Sequence, residues 1–456
     1  MFVAIGLAQN RPVQLEIGFN GEIVADAWNP LLLITRDLGE TVLEFRIDRG
    51  SLRDGIKTFT YRAVIPGGSG ITVFQDDVFI PGWRSFVWSL KQDATTIASG
   101  SLGQRERDPR PLDLILSATP GVWRGRYGRE ARITEIAAAS LPERLASYQG
   151  VKSLLIDGTG AVPRLESLTA AAAAGVLVVI LNDLPSAHAD LELLLTDGGV
   201  RLGAGAVIGA NPELLTSLFS AALRDDESFY DALRSTATPE LPAPLPQLIL
   251  LIAIGVYAVM TTLLVRLAGV PGLVTALGLA LVFSMAAWQL LRPPQAEYQT
   301  SVSLDLAAGN LAKRLQTTTV ASLPEGLIDF EGNGRLANLR SYTATDKDLS
   351  FRLGRWQSET IFQRPTLVPA LLGWEGETVR YRGSDRLRNV YVKGFGPQAE
   401  LAAGDVLEPL HAEESTLPAA YLKLLPLLPE GSVIGRAGDR ILALLPAEAR
   451  LEEGGL

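Results

Sequence analysis

The sequence predicts a multidomain membrane protein. An N-terminal all-β sandwich of immunoglobulin-like type leads into a doubly wound α/β domain. A two-helix transmembrane hairpin and a C-terminal β-rich, sandwich-like domain follow. Three observations predict this order. Apolar and polar residues alternate in the first and last parts of the chain. Between them, short apolar runs alternate with proline-led helical stretches. Two uncharged apolar stretches then follow back to back.

The chain has 456 residues, room for three folded units at roughly 100–200 residues each. A formal net charge of −9 gives no support to nucleic-acid binding, which wants a basic face. There is no cysteine, which excludes disulfides, thiolate metal ligands and thiol nucleophiles. The two histidines, His188 and His411, argue against a multi-histidine metal site. No cofactor is expected.

Residues 1–9 carry Phe2-Val3-Ala4-Ile5-Gly6-Leu7-Ala8-Gln9, with Gly6 and Ala8 at signal-peptidase spacing. They read either as a signal-peptide remnant, with the true start upstream of Met1, or as an apolar N-terminal strand. Residues 10–104 are the first β domain. Leu43, Phe45 and Ile47, then Phe59, Tyr61, Ala63 and Ile65, then Phe86, Trp88 and Leu90 are spaced by two, so each set lines one face of a half-buried strand. Asn20-Gly21, Asp54-Gly55, Pro66-Gly67-Gly68 and Pro81-Gly82 supply the turns. About seven such strands make a sandwich. Trp28, Trp83 and Trp88 read as core residues, with a sugar-stacking platform as the alternative.

The period changes in residues 111–235. Leu112–Leu116, Ala131–Ile136, Val151–Ile156, Val176–Leu181 and Ala204–Ile208 are short apolar runs. Pro142, Pro163, Pro185 and Pro212 stand where helices begin, and Gly150, Gly175 and Gly198-Gly199 where they end. This pattern predicts a parallel sheet with crossover helices. Ligands of such sheets bind beyond the strands' carboxyl ends, which here carry Asp157, Thr159, Asp183 and Asn211 as candidate ligand-binding residues. Asp157-Gly158-Thr159 is similar to the phosphatase Asp-x-Asp-Gly-Thr motif, but Leu155 stands at the nucleophile's position. Gly203, Gly205 and Gly209 lack dinucleotide spacing and a following Lys-Ser/Thr.

The size of this unit, its strand pattern and its place between a sandwich and a membrane segment resemble the flavodoxin-like, class I glutamine amidotransferase-like domain of certain bacterial membrane proteins. The resemblance covers about Pro111 to Arg234 and rests on pattern. It implies a cysteine on a sharp strand-to-helix turn with a histidine partner. Gly209-Ala210-Asn211-Pro212 offers neither cysteine nor serine, so the resemblance implies a fold kept for contact.

Residues 245–292 hold Leu248–Val265 and Gly272–Leu291, separated by Arg266 and a Pro-Gly break. Each stretch approaches the roughly 20 apolar residues that span a bilayer. Gly272, Ala276, Ala280 and Ser284 recur every fourth residue, a small-residue ridge suited to close helix packing. A hairpin returns the chain to the face it left. Together with the leader-like start, this predicts a two-pass protein of the bacterial inner (cytoplasmic) membrane, both large domains on the extracytoplasmic side. Residues 297–456 alternate again, as in Val302-Leu304-Leu306 and Leu349-Phe351-Leu353.

The functional expectation is a membrane-anchored extracytoplasmic scaffold or interaction protein without catalytic activity. Its expected partners are the lipid bilayer and other membrane or envelope proteins, with no nucleic acid. The alternative is a ligand- or cation-dependent enzyme or sensor using the Asp157/Asp183 edge.

Overall fold

A computed structural model describes residues 13–50, 55–102, 110–124, 131–157, 163–181, 199–210, 226–237, 247–291, 297–322, 325–338, 340–354, 357–410 and 418–446. The expected leader, residues 1–9, and both histidines lie outside these residues.

Seven strands build the first sandwich: β1 (Val13–Ile17), β2 (Ala27–Arg36), β3 (Thr41–Arg49), β4 (Lys57–Ile65), β5 (Ile71–Ile80), β6 (Ser85–Gln92) and β7 (Thr95–Leu102). One sheet runs β1-β2-β5; β4-β3-β6-β7 belong to the facing sheet. The alternating residues of β3 and β4, with Phe86 and Leu90 of β6, are buried between the sheets. Trp28 and Trp83 are buried as well. Trp88 lies over Gly100, where an added Cβ would come within 2.6 Å of its Nε1. The three rings therefore form no common platform for stacking a sugar.

The α/β unit contains β8 (Leu112–Leu116), α1 (Pro120–Arg124), β9 (Arg132–Glu135), β10 (Val151–Asp157), α2 (Leu165–Ala174), β11 (Leu177–Leu181), β12 (Gly199–Leu202) and β13 (Gly205–Ala210). The sheet order is β12-β13-β11-β10-β8-β9, with β12 antiparallel and the others parallel. Numbered along the chain, the parallel strands have the doubly wound order 2-1-3-4-5. Helix α2 is alanine-rich and ends at Gly175, whose φ of 113° is the left-handed cap that glycine adopts without a Cβ penalty. Residues 185 and 212, two expected helix starts, lie outside the described residues.

Helix α3 (Asp226–Arg234) leads towards α4 (Gln247–Leu291). The expected transmembrane hairpin is corrected here. Residues 247–291 hold two helical stretches that meet at a kink at Gly269, φ 58° and ψ −129°, with Pro271 just beyond it. The two stretches join directly at this kink, with no loop between them. Among the described residues, one stretch, Ile254–Gly272, is long and apolar enough to cross a membrane. A two-pass topology needs two, so the two-pass inner-membrane placement falls with the hairpin.

The chain then forms β14 (Glu297–Ala308), β15 (Leu311–Ser322), β16 (Gly326–Glu331), β17 (Gly334–Leu336), β18 (Tyr342–Thr345), β19 (Asp348–Leu353) and β20 (Gln357–Gln363). These strands divide between two sheets. β17, β20, β15 and β14 belong to a nine-stranded sheet that also takes Val433–Ala437 and Arg440–Leu444. Helix α3 and α5 (Ala419–Leu424) pack on it through Phe229, Leu233, Tyr421 and Leu424. β16, β19 and β18 instead extend the first sandwich. β18 lies parallel to β4, Tyr342 opposite Phe59 and Ala344 opposite Tyr61. Ile328, Phe330, Tyr342, Leu349 and Phe351 enter the same core as Phe45 and Tyr61. The parts of the chain before and after α4 therefore share one core.

Candidate functional site

In a 2-1-3-4-5 sheet the chain leaves β8 for one side and returns to β10 on the other, which opens a crevice at their carboxyl ends. Ser117 follows β8, and Asp157 ends β10. The Ser117 hydroxyl donates to Asp157 Oδ2 at 2.8 Å, and the Trp123 indole N–H donates to the same oxygen at 2.9 Å. The backbone N–H of Thr119 donates to Ser117 Oγ at 3.0 Å. Asp157 is only 3% exposed. Trp123, carried by α1, packs with Ile115, Leu155, Val179 and Leu181 and closes over the crevice.

Of the four candidates, the structure places Asp157 at this edge. Thr159, Asp183 and Asn211 lie outside the described residues. Reading the sequence missed Ser117 and Trp123, which approach Asp157 only once β8 and β10 pair. The chemistry of the pair is limited. A carboxylate that accepts from a serine hydroxyl is a weak base, and a serine nucleophile needs an activating base within reach. Among the described residues no group of three or more His, Cys, Asp or Glu side chains could hold a metal ion.

Along the packing ridge, Gly272 is buried. A Cβ there would lie 2.1 Å from the Leu264 carbonyl oxygen, so the bend at Gly269 needs glycine at 272. Ala280 is half-buried. The side chains of Ala276 and Ser284 are outside the described set.

Buried charge is concentrated elsewhere, at three junctions between segments. Asp76 and Asp77 sit on β5, 5% and 1% exposed. Asp76 accepts from Tyr61 at 2.6 Å, Arg144 at 2.5 Å and Arg364 at 2.9 Å. Asp77 accepts from Ser147 and faces Arg364 at 3.9 Å. Burial pushes the Asp77 carboxyl up, against the opposing pull of Ser147 and the two arginines. Burial, then the charge of Asp76, pushes the Tyr61 phenol far above its usual value.

The second junction is Lys313 on β15, 1% exposed. Its ammonium donates to both oxygens of Asp226 at 2.7 Å and to the Ala174 carbonyl at 2.6 Å. That carbonyl is the negative end of α2, which favours a cation. At the third, Arg335 pairs with Glu227 and lies over Phe362 at 4.7 Å and Phe79 at 5.0 Å, a cation–π arrangement. A sequence signal existed for the first junction. Asp76-Asp77 interrupts the apolar strand Ile71–Ile80, and adjacent acids in such a strand need buried cations.

Each junction ties a segment before α4 to one after it.

No protein-family model matches the chain, and no curated protein matches it. Among solved structures, the chain shows a likeness to a β-glucosidase from Kluyveromyces marxianus in complex with glucose. The identity is 10% and the TM-score 0.09, covering 83% of this chain and 45% of that one. The chain thus spans less than half that structure's length, and a likeness at this score carries no argument about fold or ligand.

Proposed function

We propose that the protein is a membrane-anchored interaction protein whose body works by contact and not by catalysis. One observation carries this reading: Ile254–Gly272 is apolar, and all of it but Gly272 is left unburied. Ile254, Val256, Val259, Met260 and Leu263 are each about half exposed or more. An uncovered apolar surface of this extent marks a membrane or partner surface. Because the segments on either side of α4 share one core, α4 is held in lipid without carrying the chain to the opposite face.

The α/β unit, read as an amidotransferase-like fold without its cysteine, serves as a contact platform in this account. Asp157 supports that role, since Ser117 and Trp123 already occupy its oxygen. The second reading, an enzyme or sensor at the β8/β10 crevice, rests on Asp157 lying where such sheets bind ligands. Crosslinking in the native membrane separates the two. The platform reading expects the Asp157→Asn chain to keep the crosslinked partners of the unchanged chain. Loss of those partners, or ligand-dependent turnover abolished by Asp157→Asn, favours the crevice reading instead.

A further inference from the structure

The chain is acidic overall, with a formal net charge of −9, yet one end of the body gathers cations. Strand register identifies that end. Glu297, the first residue of β14, pairs with Ser322 of β15, and Ser322 pairs with Gln357 of β20. Arg340 donates to the Gln357 side chain at 2.8 Å. The next residue, Ser341, accepts the Thr58 backbone N–H at 3.0 Å. From there the end continues across the first sandwich. Lys57 stands opposite Arg49, and the Arg84 N–H bonds the Asp48 carbonyl. In the other direction Leu327 stands opposite Arg352. Arg234, at the last turn of α3, reaches Asn338 at the same end.

Lys57, Arg84 and Arg352 are exposed here, with Ile56 51% and Leu327 60% exposed beside them. The carboxylates at this end are largely committed. Asp26 pairs with Arg49, Glu359 pairs with Arg340, and Asp48 accepts from Thr58 and Ser85. Glu325 is exposed at this end, where Glu297 also stands.

Both connections to α4 leave from this end, after Ala237 and before Glu297. A helix held in lipid therefore brings this face, and no other, to the headgroups. We propose that it docks on anionic phospholipid, with Lys57, Arg84 and Arg352 against the headgroup charge and Ile56 and Leu327 entering the interface. A negative membrane surface attracts basic groups within about a Debye length of roughly 8–10 Å, and exposed aliphatic side chains between them gain by leaving water. The proposal rests on the reading of α4 as the anchor.

The chain has no cysteine, so a single one can carry an environment-sensitive fluorophore. Ile56→Cys and Leu327→Cys report this face, and Asp346→Cys, at the opposite β18–β19 turn, is the control. Each full-length protein is incorporated into phosphatidylcholine vesicles with or without phosphatidylglycerol, and flotation is measured on the same samples. The emission of both reporters should shift to the blue when phosphatidylglycerol is present. High salt, or the combined Lys57→Glu, Arg84→Glu and Arg352→Glu changes, should abolish the shift, and Asp346→Cys should not move. Identical emission in the two vesicle types overturns the proposal, as does a shift that survives charge reversal or occurs equally at Asp346→Cys. Protein that floats with both vesicle types but shows no shift refutes the docking face alone. Protein that floats with neither refutes the anchor, and the docking face with it.

Discussion

Arg364 Nη1 lies 2.9 Å from Asp76 Oδ1, although 288 residues of chain separate the two. That bond crosses from the end of β20 to β5, and Arg144 brings the α/β unit to the same oxygen. One carboxylate therefore joins three segments. Asp76→Ala should destabilise the body by about 3–5 kcal/mol, the usual cost of breaking a buried ion pair from one side. The Arg144 side chain is 47% exposed, so solvent screening limits Arg144→Ala to about 1 kcal/mol or less. Denaturant unfolding of the detergent-solubilised protein checks both, with one cooperative transition expected for the unchanged chain.

Lys313 and Asp226 should behave as a coupled pair. Lys313→Met strands a buried carboxylate and should cost roughly 3–5 kcal/mol. Adding Asp226→Leu should recover much of that loss, because no charge then remains buried. A double-mutant cycle measures the coupling, and simple additivity would contradict the buried geometry.

Asp77 predicts a pH dependence. Burial holds its folded-state carboxyl above the ordinary carboxylate range, so the folded protein binds a proton more tightly than the unfolded chain. Stability contributed at this site rises as pH falls through the folded pKa and levels off below the unfolded one. Relative to Asp77→Asn, the unchanged protein should gain stability as pH is lowered through that window. Parallel stability–pH curves for the two proteins would refute this.

Asp157→Ala should cost about 1–3 kcal/mol, the penalty for leaving buried donors without an acceptor. It should also loosen Trp123, giving a red-shifted component in tryptophan emission. Asp157→Asn retains an acceptor oxygen and should lose less on both measures.

Much of the local fold was legible because burial imposes a period. Phe59, Tyr61, Ala63 and Ile65 are spaced by two, and all four are buried on one face of β4. Gly175 follows an alanine-rich run and does cap α2. Long-range pairing was not legible. Nothing local in Tyr342–Thr345 distinguishes pairing with β4 from pairing with any other strand. Ser117 and Trp123 stayed hidden for the same reason, since both reach Asp157 only through the order of the sheet. The membrane segment misled because the absence of charge suggested two spans, whereas among the described residues one stretch, Ile254–Gly272, is long and apolar enough to cross. Gly269 and Pro271 read as a break, and the helical backbone is interrupted by a kink at Gly269.

On the proposed function, α4 holds the protein in a bilayer. Alkaline carbonate extraction of membranes carrying the full chain, followed by flotation, tests it most directly. The unchanged protein should remain with the floating lipid, and Val259→Glu with Leu263→Glu should release it, since charges are costly in the hydrocarbon core. Release of the unchanged chain by carbonate, or retention of the doubly charged variant, would contradict the account.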